Sequence, residues 1–333
     1  MSTAKANAIR NSIYGLAIGD AFGVPVEFTS REERERNPVA DFIGYGSHDV
    51  PAGTWSDDTS MTLATLDSLA VGDPDYDDMM ERFLKWLDEG EYTATGVVFD
   101  VGMSTQVALA NYAAGDAWHE SGMRGEYDNG NGSLMRILPA VYYAELSGRC
   151  GTDDEKLELI HNVSSLTHAH PRSLMGCGIY AFIVMELLRS PDKSAVQKGI
   201  ARARAFYASK DDFSGELAVY RRMLDEEMDA FARIPEDEIR SGGYVVDTLE
   251  AAVWCFLNTD SFYDCIVRAA NLGSDTDTVA AVAGGLAGLV YDDLSFLKEK
   301  LVSRDYLEAI CEKFIATLPN KMMIPLGLEA NNE

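Results

Sequence analysis

Two short segments hold the residue types best suited to chemistry. Trp55-Ser56-Asp57-Asp58-Thr59 sets two adjacent carboxylates beside hydroxyls, and Ser274-Asp275-Thr276-Asp277-Thr278 repeats that pattern far down the chain. Both stand immediately before runs with helical spacing. Hard divalent cations such as Mg²⁺ take oxygen ligands, and one or two carboxylates with water suit them. A single carboxylate at a helix start is accounted for as a cap on free backbone N–H groups, whereas two in a row exceed what a cap needs. Two readings stay open: two well-capped helices, or one metal centre if the segments meet in space.

Convergence would carry an electrostatic condition. Two like charges about 5 Å apart, at an effective dielectric near 20, repel by roughly 3 kcal/mol. The roughly six such pairs among Asp57, Asp58, Asp275 and Asp277 approach about 20 kcal/mol, more than the roughly 5–15 kcal/mol that keeps a domain folded. Such a site must take up protons or cations. The hydroxyls of Ser56 and Thr278 stand ready to complete an oxygen shell.

The elements that would position these groups read as helices. Ile9, Ile13 and Leu16 keep helical spacing; Gly15, Gly19 and Gly23 recur every four residues and offer a flat face to another backbone. Pro25 ends that run, just before Glu27, a carboxylate among apolar neighbours that is either turned to solvent or kept for a purpose. Residues 31–36 read as an exposed mixed-charge segment and 42–53 as a glycine-rich loop. Helical stripes then follow at Leu63-Leu66-Ala70, with Asp57 and Asp58 at the N-cap, at Met80-Phe83-Leu87, and at Met103-Val107-Ala110 behind Asp100. Further stripes cover 134–146, 160–163, 174–188, 196–207, 217–231, 246–256, 266–270, 280–289 and 307–318. No period-two segment, fixed repeat or linker interrupts them. One all-α domain over residues 5–325 is expected, with a polar tail at 329–333 expected to fray.

Two loops add chemistry of their own. Tyr127-Asp128-Asn129-Gly130-Asn131-Gly132-Ser133 can present successive backbone N–H groups to an anion, although Asn-Gly pairs also mark ordinary turns. Thr167-His168-Ala169-His170 spaces two histidines at i, i+2. It lacks the H-E-x-x-H arrangement, so capping or hydrogen bonding is expected of at least one of them. The net charge of −26 disfavours nucleic acid and anionic lipid as partners. Five cysteines without a C-x-x-C pair give neither a zinc motif nor a disulfide framework. The first ten residues lack a signal-peptide core, and the longest small-and-apolar run, 279–290, is too short to span a bilayer. A cytoplasmic protein, monomeric and without a membrane partner, is the expectation.

Taken together and in order, several stretches resemble the ADP-ribosylglycohydrolase family. They are Gly15-Leu-Ala-Ile-Gly19-Asp20-Ala-Phe-Gly23-Val-Pro25-Val-Glu27, Trp55-Ser56-Asp57-Asp58-Thr59-Ser60-Met61, Asn129-Gly130-Asn131-Gly132-Ser133-Leu-Met135-Arg136, Thr167-His168, Gly243-Tyr244-Val-Val-Asp-Thr248 and Gly273-Ser274-Asp275-Thr276-Asp277-Thr278. The resemblance runs from about residue 10 to 290. It implies an all-α fold with two divalent cations, Mg²⁺ or Mn²⁺, held in a cleft by Ser56, Asp57, Asp58, Asp275, Asp277 and Thr278. Serine stands at 56 where the family often has threonine, and either supplies a hydroxyl oxygen.

The same resemblance implies an ADP-ribosylated protein or conjugate as substrate. Its diphosphate is expected near Asn129, Gly130, Asn131, Gly132, Ser133 and His168, with Gly102 and Tyr244 also at the ligand. The resemblance assigns Glu27 the general acid/base role and counts Asp58 and Asp277 among the catalytic carboxylates that stabilise the oxocarbenium-like charge. Asp100 lies in a segment resembling arginine-directed members, where a carboxylate faces the acceptor guanidinium; this implies cleavage of ADP-ribosyl-arginine. Alternatives are another ADP-ribosyl conjugate (serine-linked or O-acetyl-ADP-ribose), a non-catalytic ADP-ribose-binding relative, and a dinuclear phosphohydrolase cutting the diphosphate.

Overall fold

A computed structural model describes residues 2–225 and 227–319. Every regular element among them is helical; the ladder contacts are two isolated bridges, Met123 with His168 and Gly130 with Tyr244. The all-α expectation holds. Residues 320–325 of the expected domain and the tail at 329–333 lie outside the described residues.

The fold is built on a pair of helices from opposite ends of the sequence. Thr3–Gly23 packs along Thr276–Ala287 more extensively than any other two helices pack. The glycine repeat explains the closeness. A Cβ on Gly15 would lie 2.2 Å from the Gly284 carbonyl oxygen, and one on Gly19 would lie 2.0 Å from that of Ala280. Both are far inside contact distance, so the helices meet backbone to backbone with no side chain between them. Thr276 Oγ1 donates to the Gly23 carbonyl at 2.8 Å, pinning the C-terminal end of one helix to the start of the other. Asp277 is thereby set beside the segment that leads into Glu27.

The other helices wrap this pair, and one apolar cluster runs continuously from Ile9 to Leu318. Leu63, Leu66 and Leu69 of Asp57–Leu69 are fully buried, each contributing about 1.5–3 kcal/mol by leaving water. Pro171–Arg189 is long and apolar enough to cross a membrane by composition. Here 72% of its apolar window is buried, against Asp153–Ser165 and Ser194–Ala208. All five cysteines are free, and Cys177, Cys255, Cys265 and Cys311 are buried.

The stretch 134–146 is mainly helical, as Leu138–Leu146, with Pro139 tolerated in its first turn. Three local expectations are corrected. The N-cap before residue 57 is Ser56, with Asp57 and Asp58 inside the first turn. The stripe at 217–231 is broken into Arg221–Leu224 and Met228–Ala232, although Tyr220, Met223, Leu224 and Phe231 are buried. Helices that short depend on tertiary anchors rather than their own ladder, and the Tyr220 hydroxyl supplies one by donating to the Arg172 carbonyl at 2.8 Å. Residues 31–36 form a helix, but not a fully exposed one. Arg34 is buried, and Arg31 donates to the carbonyls of Leu272 (2.9 Å) and Ile239 (2.6 Å), stapling the backbone just ahead of Ser274.

Candidate active site

The first acidic segment is held by a residue from the helix beneath it. Asp20, fully buried in Thr3–Gly23, accepts from the backbone N–H of Ser56 (2.9 Å) and of Thr59 (3.0 Å) and from the Thr59 hydroxyl (2.5 Å). It acts as the anion at the start of Asp57–Leu69, a favourable place for negative charge. Burial pushes its carboxyl up to about 6, against those hydrogen bonds. Asp20, Asp58 and Asp277 have carboxylate oxygens within 4.8 Å of one another. With both oxygens of Asp20 already accepting, it serves as the clamp, and Asp57 and Asp58 need not cap the helix.

The second segment arrives through strained backbone. Ser274 and Phe28 are both left-handed, at φ 66° and 62°, where non-glycine residues are uncommon. They are tied reciprocally: Phe28 N–H donates to Ser274 O at 2.7 Å, and Ser274 N–H donates to Thr29 O at 2.7 Å. This pair of hydrogen bonds locks Glu27 against Asp275. Asn131 donates its amide to Asp275 Oδ2 at 2.9 Å and to Thr248 Oγ1 at 2.9 Å, adding the glycine loop to the same framework.

The two segments meet. Thr278 Oγ1 donates to Asp58 Oδ1 at 3.3 Å, and Glu27, Asp275 and Asp277 bring carboxylate oxygens within 4.8 Å of each other. Burial raises the carboxyls of Asp57, Asp58 and Asp277 well above the ordinary range, and their neighbours' charges push the same way. Glu27 is raised to about 10 by burial, then by the charges of Asp100 and Asp275. Three buried oxygens, Asp58 Oδ2, Asp275 Oδ1 and Asp277 Oδ2, have no hydrogen-bond partner among the described residues. Carboxylates gathered within 4.8 Å, with buried oxygens left unpartnered among them, are the donor chemistry a hard divalent cation takes, so the residues present fit a metal ion.

Above them opens a cleft of about 310 Å³, lined by Glu27, Asp57, Asp100, Gly130, His168 and Thr278 among others. Asp100 is held at φ 59° just before the helix Met103–Ala113, whose cap is Gly102, so it is not a helix cap. Glu27 Oε2 lies 2.6 Å from His48 Nε2, and the His48 ring packs against those of Phe28 and Phe99. Opposite, Gly130 and Gly132 leave room for His168: a Cβ on Gly132 would lie 2.8 Å from the imidazole Cε1.

Most of the expected site residues converge here. Glu27, Asp57, Asp100, Gly102, Gly130, Asn131, Gly132, His168, Asp275 and Thr278 line the cleft, with Asp58 and Asp277 buried in contact with that wall. Four expected residues do not present their side chains to it. Ser133 is fully buried and bonded to Ser164 (2.9 Å), and Asn129 accepts from Ser173 (3.0 Å). Tyr244 packs against Arg172, and it is the preceding residue, Gly243, that lines the cleft. Ser56 is likewise buried, its hydroxyl accepting from Asp58 N–H at 3.3 Å. His170 caps Pro171–Arg189 by accepting from Arg172 N–H at 3.1 Å.

The sequence matches the family model described as ADP-ribosylglycohydrolase over residues 1–321. The chain belongs to the ADP-ribosylglycohydrolase family. Membership makes it an enzyme of the ADP-ribosyl-hydrolysing class. It is similar to the ADP-ribosylarginine hydrolase Tri1 of Serratia proteamaculans, 32% identical over 317 residues, covering 94% of this chain and 80% of that protein. It is also similar to the ADP-ribosyl-[dinitrogen reductase] glycohydrolase of Rhodospirillum rubrum, 29% identical over 84% of this chain and 85% of that one. A solved structure, an ADP-ribosylglycohydrolase-related protein complex, superposes with a TM-score of 0.76 at 29% identity, covering 95% of this chain and 99% of its own.

Sequence reasoning gave no role to Asp20, His48 or Thr248. Asp20 did leave a signal: a lone carboxylate inside the apolar, glycine-rich run 15–23 must find buried donors. His48 sits in an irregular loop with no periodicity to mark it.

Proposed function

We propose that this ADP-ribosylglycohydrolase removes ADP-ribose from arginine side chains of modified proteins. The observation that carries this reading is the meeting of Glu27, Asp57, Asp100 and Asp275 in one cleft whose other wall is the glycine loop and His168. ADP-ribose lies across the cleft, its diphosphate on the backbone of residues 130–132 beside His168. Tyr127, fully solvent-exposed on the rim, offers its ring to the adenine. Asp100 faces the acceptor guanidinium as a charge-assisted partner. The similarity to proteins named as ADP-ribosylarginine hydrolases supports the linkage.

The reaction breaks the bond between the anomeric carbon and the guanidinium nitrogen and adds water, giving free ADP-ribose and arginine. The oxocarbenium-like charge that develops is stabilised by the surrounding carboxylates. Glu27 serves as the general acid/base through which the proton of the added water reaches the departing guanidine nitrogen, and its contact with His48 orients it for that role. Ser56, Asp57, Asp58, Asp275, Asp277 and Thr278 would hold two Mg²⁺ or Mn²⁺ ions, which supply orientation of the ribose hydroxyls and a water of lowered pKa.

The test is turnover of ADP-ribosylated arginine by wild type and Asp57→Ala, with and without Mg²⁺ or Mn²⁺. Metal-dependent release of free ADP-ribose, lost in the variant, is expected. Full activity without divalent metal, an unaffected variant, or AMP as product would overturn the reading; cleavage of serine-linked ADP-ribose alone would overturn the arginine assignment.

A further inference from the structure

Arg136 is a buried charge that the reaction above does not use. It is fully buried and stacks over the Phe83 ring at 4.7 Å. Nη1 donates to the Val163 carbonyl at 3.1 Å, Nη2 donates to Thr167 Oγ1 at 2.7 Å, and Nε has no partner among the described residues. No carboxylate pairs with it among those residues either, in a chain with 54 acidic side chains. Burying an unpaired guanidinium is costly, and retaining one in the core calls for a purpose.

Its contact with Thr167 leads to the cleft. Thr167 Oγ1 lies 2.8 Å from His168 Nδ1. A guanidinium can only donate, so the threonine oxygen accepts from Arg136; its single hydrogen has no other acceptor among the described residues and turns to the imidazole. His168 Nδ1 is then the acceptor, and the ring hydrogen resides on Nε2. That nitrogen faces the glycine loop, 3.4 Å from the point where a Cβ on Gly130 would lie. Among the described residues it has no partner of its own. The neutral ring is the form such burial favours, and the nearby guanidinium disfavours a second positive charge; together they hold the imidazole down to about 3. Ser164 Oγ completes the mount by donating to the His168 carbonyl at 3.1 Å.

We propose that Arg136 and Thr167 are positioning residues: they hold His168 as the Nε2–H tautomer, so that it donates to an anionic oxygen of a ligand seated on residues 130–132. The ligand's identity as the diphosphate of ADP-ribose rests on the proposed function; the tautomer does not. The opposite tautomer would turn a lone pair toward that oxygen and repel it. Arg136 lends its uncompensated positive charge from behind the ring, a local remedy for an acidic protein that must bind an anion.

Two measurements test this on the full-length chain. A long-range proton–nitrogen correlation spectrum at neutral pH, assigned by the loss of signals in His168→Gln, reports which ring nitrogen carries the hydrogen. Nε2–H is expected in wild type and Thr167→Ser, with population of Nδ1–H in Thr167→Val. Calorimetric titration with ADP-ribose and with adenosine is the second. Thr167→Val is expected to weaken ADP-ribose by on the order of tenfold and leave adenosine unchanged, with Thr167→Ser restoring affinity; Arg136→Lys falls between. An Nδ1–H ring in wild type, or equal losses for ADP-ribose and adenosine in Thr167→Val, would overturn the proposal. Failure of wild type to bind ADP-ribose would instead defeat the proposed function, while the nitrogen spectrum still decides the tautomer.

Discussion

Thr278 donates its hydroxyl to Asp58 Oδ1 across 3.3 Å, joining residues 220 positions apart. This contact closes the acidic site with one neutral hydroxyl set among carboxylates. Buried oxygens of Asp58, Asp275 and Asp277 are left with nothing to accept from among the described residues.

Metal removal should therefore be visible in stability as well as activity. Glu27, Asp57, Asp58 and Asp277 all have folded-state pKa values raised above the ordinary carboxylate value near 4. A raised value contributes stability that is present below the unfolded pKa and lost as pH climbs through the folded one. For Glu27 that window reaches up to about 10. In chelator, Tm should fall from pH 5 to pH 8; saturating Mg²⁺ or Mn²⁺ should raise it by roughly 5 °C or more at the upper end. A gap between the two curves that stays constant with pH would contradict the account. Asp58→Asn should raise the chelated protein's Tm and abolish the metal response.

Asp100 can be tested without disturbing the backbone. Asparagine tolerates the left-handed conformation that residue 100 adopts at φ 59°. Asp100→Asn should lower kcat/KM on ADP-ribosyl-arginine by about 10²-fold with a stability change under about 1 kcal/mol. Steady-state kinetics paired with urea denaturation checks both halves.

His48 is expected to act through Glu27, which it contacts at 2.6 Å. His48→Ala should reduce kcat by about tenfold with little change in KM, because the carboxylate loses its orienting partner rather than the ligand a contact. A matching rise in KM would place His48 at the ligand itself.

The central helix pair makes a stability prediction. Gly19→Val should cost more than about 3 kcal/mol in a denaturant titration, since the added atoms meet the Ala280 backbone and neither helix can yield locally. Gly215→Ala, where a Cβ meets nothing within 4 Å, should stay within about 0.5 kcal/mol.

Local pattern alone carried the helical class, the glycine face at 15–23 and the two acidic segments, because 3.6-residue periodicity and carboxylate spacing are written in neighbouring residues. It also marked Glu27 and the loop at 129–133. What it left open was whether Asp57-Asp58 and Asp275-Asp277 are caps or one site, since either is compatible with each segment read alone. Backbone contact between Thr3–Gly23 and Thr276–Ala287 decided that, helped by the strained tie between Phe28 and Ser274. The parts invisible in sequence have long-range causes: Asp20 as a clamp, His48 against Glu27, and the side chains of Asn129 and Ser133 turned into the packing rather than the cleft. Residue type and spacing determined which groups could do chemistry; burial and distance, which exist only after packing, decided which of them share one cleft.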